Sequence, residues 1–434
     1  MPRLSDPRYA PNCHILVDGH RVPARAGESV TSALLAADRP IIVRSSKYHR
    51  PRGPFCLSSS CGSCLVRVDG EPNMRACETP CREGLRIETQ NAVGGATHDL
   101  LGVIDLLSPR GMDHHHLATW SQIANRVAVT ASRQLTGLGH LPDAAETLAP
   151  AKRPPVVPED FDALVVGAGP SGLGAAEALC RAGRRVLLVD QERAAGGRLR
   201  CRYALRGDPH LGWVEEVATA IRARGGELAT RTAAIGLWRA GRGFLSALAP
   251  RGSSGALRQI RARRVVVASG SWAQPPLFPG NDLPGIYGAR GLLAALAEDG
   301  VLPGRRAAVL GEGSEAEGAA RLLASAGIEV EPVTGEVASA RGGRRLAALD
   351  LADGRRIRCD VLATVTPRMP AAELARELGA PLELNPETGA FRVRPAPDGA
   401  IAPGAFAAGE VCGPCSAAEA AEAGRVAGGA ASHD

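Results

Sequence analysis

The sequence predicts a multidomain chain of mixed class, α+β at its N-terminus and α/β through the rest. Three observations predict it. Cys56, Cys61 and Cys64 stand in a C-x4-C-x2-C spacing, and Cys77 follows after twelve intervening residues. An apolar run from Phe161 leads into a glycine-rich turn and then an alanine-rich stretch of helical character. A second run of the same kind starts at Arg305.

The N-terminal α+β domain is read over residues 1–95. Cys13 to His20 and Arg21 to Ala24 form a strand–turn–strand pattern, and Glu28 to Ala36 a short helix that buries Val30, Ala33, Leu34 and Leu35. The cysteine loop comes next, and Leu85 to Thr89 closes the domain as a strand. This is the element order of the β-grasp ferredoxin fold. Cys56 to Cys64 is otherwise built of Leu, Ser and Gly, so its backbone can wrap a cluster and aim amides at sulfur. Three thiolates on one loop, with a fourth brought in from elsewhere, suit a [2Fe–2S] cluster of the plant type. Leu65 to Val68 reads as a strand and Asp69-Gly70 as a tight turn. A hairpin centred there pairs Cys64 with Arg75 and places Cys77 two residues on, on the same face. Pro72 weakens a regular hairpin and argues for a wider turn. The metal ligands expected are therefore Cys56, Cys61, Cys64 and Cys77, with Cys81 the alternative fourth. A zinc site prefers two CxxC pairs or histidine partners, and disulfides need an oxidising compartment.

Composition narrows the rest. At 434 residues the chain has room for two to four domains. With 45% hydrophobic residues it can build sizeable cores, and no apolar run is long enough for a membrane span. The net charge of +6 comes from arginines spread along the chain, and aromatics make up only 3%, which argues against a nucleic-acid surface. The N-terminus is polar and proline-rich rather than a leader-like apolar run. Eleven cysteines, an odd number with a metal-like cluster among them, indicate a reducing cytoplasm.

Residues 96–158 are read as a helical connector and linker. Leu100 to Leu107 and Trp120 to Leu135 are candidate helices, and Ala151 to Pro158 is a proline-rich linker. His114, His115 and His116 invite a metal reading, but consecutive residues do not share a helix face, so an exposed loop is expected.

A dinucleotide-binding domain is read over 159–285 plus 390–434. Asp162 to Val166 is its first strand, Gly167, Gly169 and Gly172 its glycines, and Leu173 to Ala182 its helix. The helix N-terminus is offered to phosphate. A second strand, Arg185 to Val189, ends at Asp190, which is placed for a ribose hydroxyl. Gly197 and Arg198 complete this side of the site. The strand from Arg264 running into Gly270 and a Pro-rich crossing, and the late stretch delivering Gly409 and Glu410, sharpen the nucleotide to FAD. Between them, over 286–389, lies a second Rossmann-like domain. Gly311 and Gly313 hold its first two glycine positions and Ala316 the third. It would take NAD or be a structural relic, because Glu312, Glu315 and Glu317 repel an incoming pyrophosphate. Cys412-Gly-Pro-Cys415 precedes the last helix, Ala417 to Ala430, where a helix N-terminus lowers a thiol pKa.

Ser46-Lys47-Tyr48-His49-Arg50-Pro51-Arg52-Gly53 and Arg133 to Gly139 resemble stretches of heterotetrameric sarcosine oxidase α subunits. The cysteine loop and Val68 to Cys77 resemble the ferredoxin-like subunit of hydrogen cyanide synthase and of opine or hydroxyproline dehydrogenases. The remainder resembles their nucleotide-binding α subunit, so the chain looks like a fusion of both parts. The resemblance implies an electron-transfer subunit of an FAD-dependent amine or amino-acid dehydrogenase or oxidase. A partner β subunit would oxidise the C–N bond, and an external acceptor would take the electrons. No acid–base constellation for that oxidation is evident in this chain, and its catalytic residues stay unassigned. Two departures stand out. No counterpart of the folate-handling C-terminal half of sarcosine oxidase α is expected within these residues, and Cys412 and Cys415 cannot supply a second four-cysteine site. The alternative is a self-contained NAD(P)H-dependent FAD/[2Fe–2S] reductase, with hydride entering at Gly311 and Gly313. A non-catalytic nucleotide-binding scaffold is the third reading.

Overall fold

A computed structural model describes residues 3–46, 48–107, 121–135, 157–204, 209–252, 256–386 and 388–433. It divides into two compact units. One comprises Met1–Leu57, Cys61–Ala151 and Pro275–Val365; the other comprises Ser58–Ser60, Lys152–Gln274 and Thr366–Asp434. Lys47, His114 to His116, Trp120, Gly137 to Gly139 and most of the proline-rich linker lie outside the described residues.

The first unit opens with a five-stranded sheet in the order His20–Ala24, Cys13–Val17, Arg86–Thr89, Leu65–Val68, Glu71–Arg75. Cys13–Val17 runs parallel to Arg86–Thr89 and antiparallel to His20–Ala24. Cys13, Ile15 and Val17 alternate inward, as a half-buried strand requires. They meet Val22, Leu34, Val66 and Ile87 in one core. The crossing helix is Val30–Ala36, and Ser29 caps it by accepting from the Ser32 amide at 3.0 Å. This is the expected β-grasp.

The hairpin departs from its expected register. Asp69 and Gly70 both adopt positive φ, 47° and 91°, so the two-residue turn is tight, of the kind that favours Asp-Gly. The irregularity at Pro72 is absorbed one step later. Asn73 takes φ 60° and the register slips between Val66 and Val68. Arg75 consequently pairs with Leu65, not with Cys64.

The same unit continues at Pro275 with a parallel sheet in the order Ile286–Gly288, Val361–Thr364, Arg306–Leu310, Glu329–Val333. Helices Ala289–Asp299 and Gly313–Ser325 accompany it. The unit closes at Val365, earlier than residue 389. The cause is packing: Ala375, Leu378 and Val393 join Phe161, Leu237 and Val265 in the core of the other unit.

An N-terminal strap holds the first unit together. Arg3 meets the fully buried Glu28 through two bonds of 2.6 and 2.7 Å, and its guanidinium also donates to the Asp299 carbonyl at 2.9 Å. Arg25 pairs with Asp299 at 2.6 Å, and Ser32 Oγ donates to the other Asp299 oxygen at 2.6 Å. The Tyr9 hydroxyl donates to the Ala297 carbonyl at 2.8 Å.

The second unit is built on an eight-stranded sheet whose central strands are Val186–Val189, Glu159–Val166 and Arg258–Val267. All three run parallel, and Ala405–Ala407 joins beside Val265–Val267. Leu164, Val165, Leu187, Leu188, Val265 and Val266 are fully buried, the continuous apolar run of a strand covered on both faces. The helix after the first strand is Pro170–Arg181, three residues earlier at its start than the pattern suggested. Gly169 serves as N-cap and Pro170 suits the first turn. The C-terminal helix Ala417–Ala431 crosses it backbone to backbone. A Cβ on Gly424 would stand 1.9 Å from the Ser171 carbonyl oxygen, and one on Gly174 2.4 Å from that of Ala421.

Candidate functional sites

In the cysteine loop Cys56 and Cys64 are buried, while Cys61 and Cys77 are half-buried. The Cys61 amide donates to Cys56 Sγ at 3.3 Å, and Cys61 Sγ lies 2.9 Å from Ser63 Oγ. A bond to Cys56 and then burial push the Cys61 thiol well up, so it becomes a thiolate readily only beside a cation such as iron. The Ala76 amide donates to the Cys64 carbonyl at 3.0 Å, so Ala76, the residue before Cys77, lies opposite Cys64. Cys81 is more deeply buried than Cys77. It is 2% exposed within the β-grasp core, and its amide donates to the Glu28 carbonyl at 2.7 Å. Burial first, then the charges of Glu28 and Cys13, push its thiol up. Among the described residues no three His, Cys, Asp or Glu side chains already stand as a metal-holding group. The donor set of the loop, thiols without oxygen ligands, is the chemistry that selects iron–sulfur or zinc over hard cations.

In the second unit, the first glycine turn has no room for side chains at Gly167 and Gly172. A Cβ on Gly172 would meet the Gly167 carbonyl oxygen at 1.6 Å. Gly167 has φ 102°, and a Cβ there would meet the Ala268 oxygen at 2.3 Å. Gly197 approaches to a Cβ distance of 2.8 Å from the Gly169 Cα, so two loops meet backbone on backbone. The N-cap Gly169 offers no side-chain cap, which leaves the first helical amides for an anion. Asp190 stands at the end of the second strand and is 9% exposed. Its carboxylate accepts from the Ala168 amide at 2.6 Å and the Glu192 amide at 2.7 Å. Burial, then the neighbouring Glu192 charge, raise its pKa to about 6. Glu192 in turn pairs with the buried Arg200 at 2.6 Å.

Further round, Glu410 is shared between two partners. Arg198 reaches one carboxylate oxygen at 2.8 Å and also donates to the Cys415 carbonyl; Ser271 Oγ donates to the other oxygen at 2.8 Å. Arg368 holds Ser271 through bonds of 2.8 Å to its hydroxyl and 2.6 Å to its carbonyl. Arg368 and Ser271 escaped the sequence reading, because no motif marks them. Gly409 has φ 84°, and a Cβ there would lie 2.4 Å from Ser171 Oγ. Gly270 also has positive φ, 72°, with open space where a Cβ would point. The cradle lined by glycines, next to a helix N-terminus without a side-chain cap, fits a dinucleotide.

The second glycine turn belongs to the first unit. Gly311, at φ 135°, would place a Cβ 2.3 Å from the Val365 carbonyl oxygen, whereas Gly313 faces open space. Two of the three acids expected to repel a pyrophosphate have a cationic partner. Glu315 is gripped at both oxygens by Arg290, at 2.8 and 2.7 Å. Glu317 has Arg321 at 3.8 Å. The Cys412-x-x-Cys415 pair also differs from expectation. Burial, then Cys415, push the Cys412 thiol up to about 12, so packing against the core outweighs the helix terminus. Among the described residues no disulfide is formed.

Comparison with known proteins places the chain in a family. Residues 10–92 match the 2Fe-2S iron-sulfur cluster binding domain, and residues 161–333 match the pyridine nucleotide-disulphide oxidoreductase family. The chain is 30% identical over 436 residues to the sarcosine oxidase subunit alpha of Rhizobium meliloti strain 1021, which covers 91% of this chain and 43% of that protein. Over 77 residues it is 39% identical to the hydrogen cyanide synthase subunit HcnA of Pseudomonas aeruginosa, covering 18% of this chain and 73% of that one. The chain belongs to the family of sarcosine oxidase α and cyanide synthase subunits, with a fused [2Fe–2S] domain. Its cofactors are a [2Fe–2S] cluster and FAD. It spans about two fifths of the length of the sarcosine oxidase α subunit it matches. The fold is shared with L-proline dehydrogenase from P. horikoshii, at a TM-score of 0.75 and 21% identity over 98% of this chain and 74% of that one. No helix among the described residues is long and apolar enough to cross a membrane.

Proposed function

We propose that this chain is the cytoplasmic electron-transfer subunit of a heteromeric, FAD-dependent amine or amino-acid dehydrogenase or oxidase. The substrate is of the sarcosine, opine, proline or hydroxyproline type, and a partner β subunit carries the C–N oxidation. One observation carries this reading: the similarity to a sarcosine oxidase α subunit runs through the cysteine domain and the nucleotide units in one stretch. Cys56, Cys61, Cys64 and Cys77 hold the cluster, which supplies one-electron chemistry, and FAD supplies one- or two-electron chemistry. Gly167, Gly169, Gly172 and Gly197 let the FAD pyrophosphate reach the helix N-terminus, while Asp190 accepts from its ribose. Gly270, Gly409 and the Arg198–Glu410 pair shape the opposite wall. Gly311 and Gly313 accept a nucleotide of the NAD type.

The test is purification of the native complex, with identification of co-purifying chains and of the nucleotides released on denaturation. A second FAD-bearing chain that oxidises an amine only together with this one supports the reading. Full amine-oxidising activity from this chain alone would overturn it. The reductase alternative draws support from Arg290, which offsets the charge of Glu315 at the second glycine turn. Anaerobic NADH or NADPH then has to bleach the flavin absorbance; an unchanged spectrum removes that alternative.

A further inference from the structure

Within the first unit, the first turn of helix Ala289–Asp299 is built against the cluster loop. Its N-cap, Gly288, has no side-chain cap and donates its amide to the Phe55 carbonyl at 2.9 Å. A Cβ on Gly291 would stand 1.9 Å from the carbonyl oxygen of Cys56, so only glycine allows this approach. Arg290 lies between these two positions. Its guanidinium forks onto Glu315, in the first turn of helix Gly313–Ser325 directly behind the Gly311–Gly313 turn. One short series of contacts thus joins the second nucleotide turn to the first cysteine.

The chemistry of that series is competitive. A guanidinium binds carboxylate and phosphate with the same two-pronged geometry. A diphosphate arriving at the turn bids against Glu315 for Arg290, and it brings negative charge of its own. Hydrogen bonding and net charge around a cluster set its potential, and added negative charge favours the oxidised form.

We propose that Arg290 is a positioning residue that couples the Gly311–Gly313 turn to the cluster loop. A nucleoside diphosphate bound at that turn lowers the reduction potential of the [2Fe–2S] cluster. The second nucleotide site is then an effector site, not a hydride port. The inference rests on the cluster assignment made above.

The experiment uses the holoprotein with cluster and FAD in place. Redox titration followed by electron paramagnetic resonance is run without nucleotide, with ADP, and with adenosine as the phosphate-free control. Calorimetry measures ADP binding in parallel. ADP is expected to bind and shift the midpoint potential downward, and adenosine to leave it unchanged. In Arg290→Gln, ADP binding is expected to weaken about tenfold and the shift to vanish, while Arg290→Lys keeps part of both. The pair is only partly exposed, 14% at Arg290 and 33% at Glu315, so thermal unfolding of each variant is measured beside the titration, and Arg290→Lys keeps the test decisive if Arg290→Gln fails to fold. ADP that fails to bind, binds without moving the potential, or acts on Arg290→Gln as on the native protein overturns the coupling alone. No [2Fe–2S] signal in nucleotide-free protein would overturn the cluster assignment and the coupling with it.

Discussion

Cys77→Ser and Cys81→Ser are expected to fail in opposite ways, and the contrast tests which thiol completes the cluster. Cys81 is 2% exposed and shares its core with Cys13, Val30 and Leu85. A serine hydroxyl placed there needs a partner, and without one costs about 1–3 kcal/mol. For a unit of this size that lowers the melting temperature by several degrees. Cys77 is half-buried at the edge of that core, so serine there costs the apoprotein little. The assay is paired: iron content and visible absorbance after reconstitution, and thermal unfolding of the apoprotein. Cys81→Ser should keep two irons per chain and melt earlier. Cys77→Ser should melt normally and lose the cluster absorbance. A Cys81→Ser protein that folds normally but holds no iron, beside a fully loaded Cys77→Ser protein, would refute the reasoning from the hairpin.

Three other outcomes follow from the packing. Gly172→Ala puts a Cβ 1.6 Å from the Gly167 oxygen, about 1.8 Å short of ordinary contact, so the turn must open. Flavin fluorescence released on dilution should show FAD loss, whereas Gly169→Ala, with only the Gly197 Cα at 3.8 Å, should fold with weakened binding. Asp190 has a folded pKa of about 6, above the ordinary 3.8, so the folded apoprotein binds the extra proton and stability falls as pH rises from about 4 to 6. That gap is worth about 3 kcal/mol at neutral pH, and urea unfolding of Asp190→Asn should lack this pH-dependent loss; equal slopes would contradict it. Arg3→Ala leaves the buried Glu28 carboxylate without its bidentate partner, which costs about 3–5 kcal/mol in denaturant unfolding. The double variant Arg3→Ala/Glu28→Gln should recover most of that loss.

The fold was legible where local pattern and tertiary packing agree. The apolar strand before Gly167, the glycine spacing and the alternation of Cys13, Ile15 and Val17 each announce an element that packing then keeps. Features set by distant residues were not legible. Arg3 and Asp299 meet across almost 300 positions of sequence, and nothing near either residue signals the other. Arg290 and Glu315 read as one more cation and one more acid, and only the approach of two helices makes them a pair. The hairpin register failed by one residue because a left-handed Asn73 cannot be told from its neighbours by pattern alone. For Cys412 the helix-terminus rule gave the wrong sign, since it says nothing of the apolar residues packed behind the thiol.

The glycine crossing of Pro170–Arg181 with Ala417–Ala431 also sets the order of events when the chain is made. The two helices are complementary along Gly174, Gly424 and Gly428, yet more than two hundred residues separate them, including the whole inserted stretch from Pro275 to Val365. At a synthesis rate of about 5–20 residues per second, the first helix leaves the ribosome on the order of 10–50 s before its partner exists. During that interval its buried face, Leu173, Ala175, Ala176 and Leu179 among others, lacks the cover that Ala427 and Ala431 of the last helix supply. Such a non-local contact is slow to close and exposes apolar surface meanwhile. The nucleotide-binding turn is therefore among the earliest parts of its unit to be synthesised and among the last to be completed.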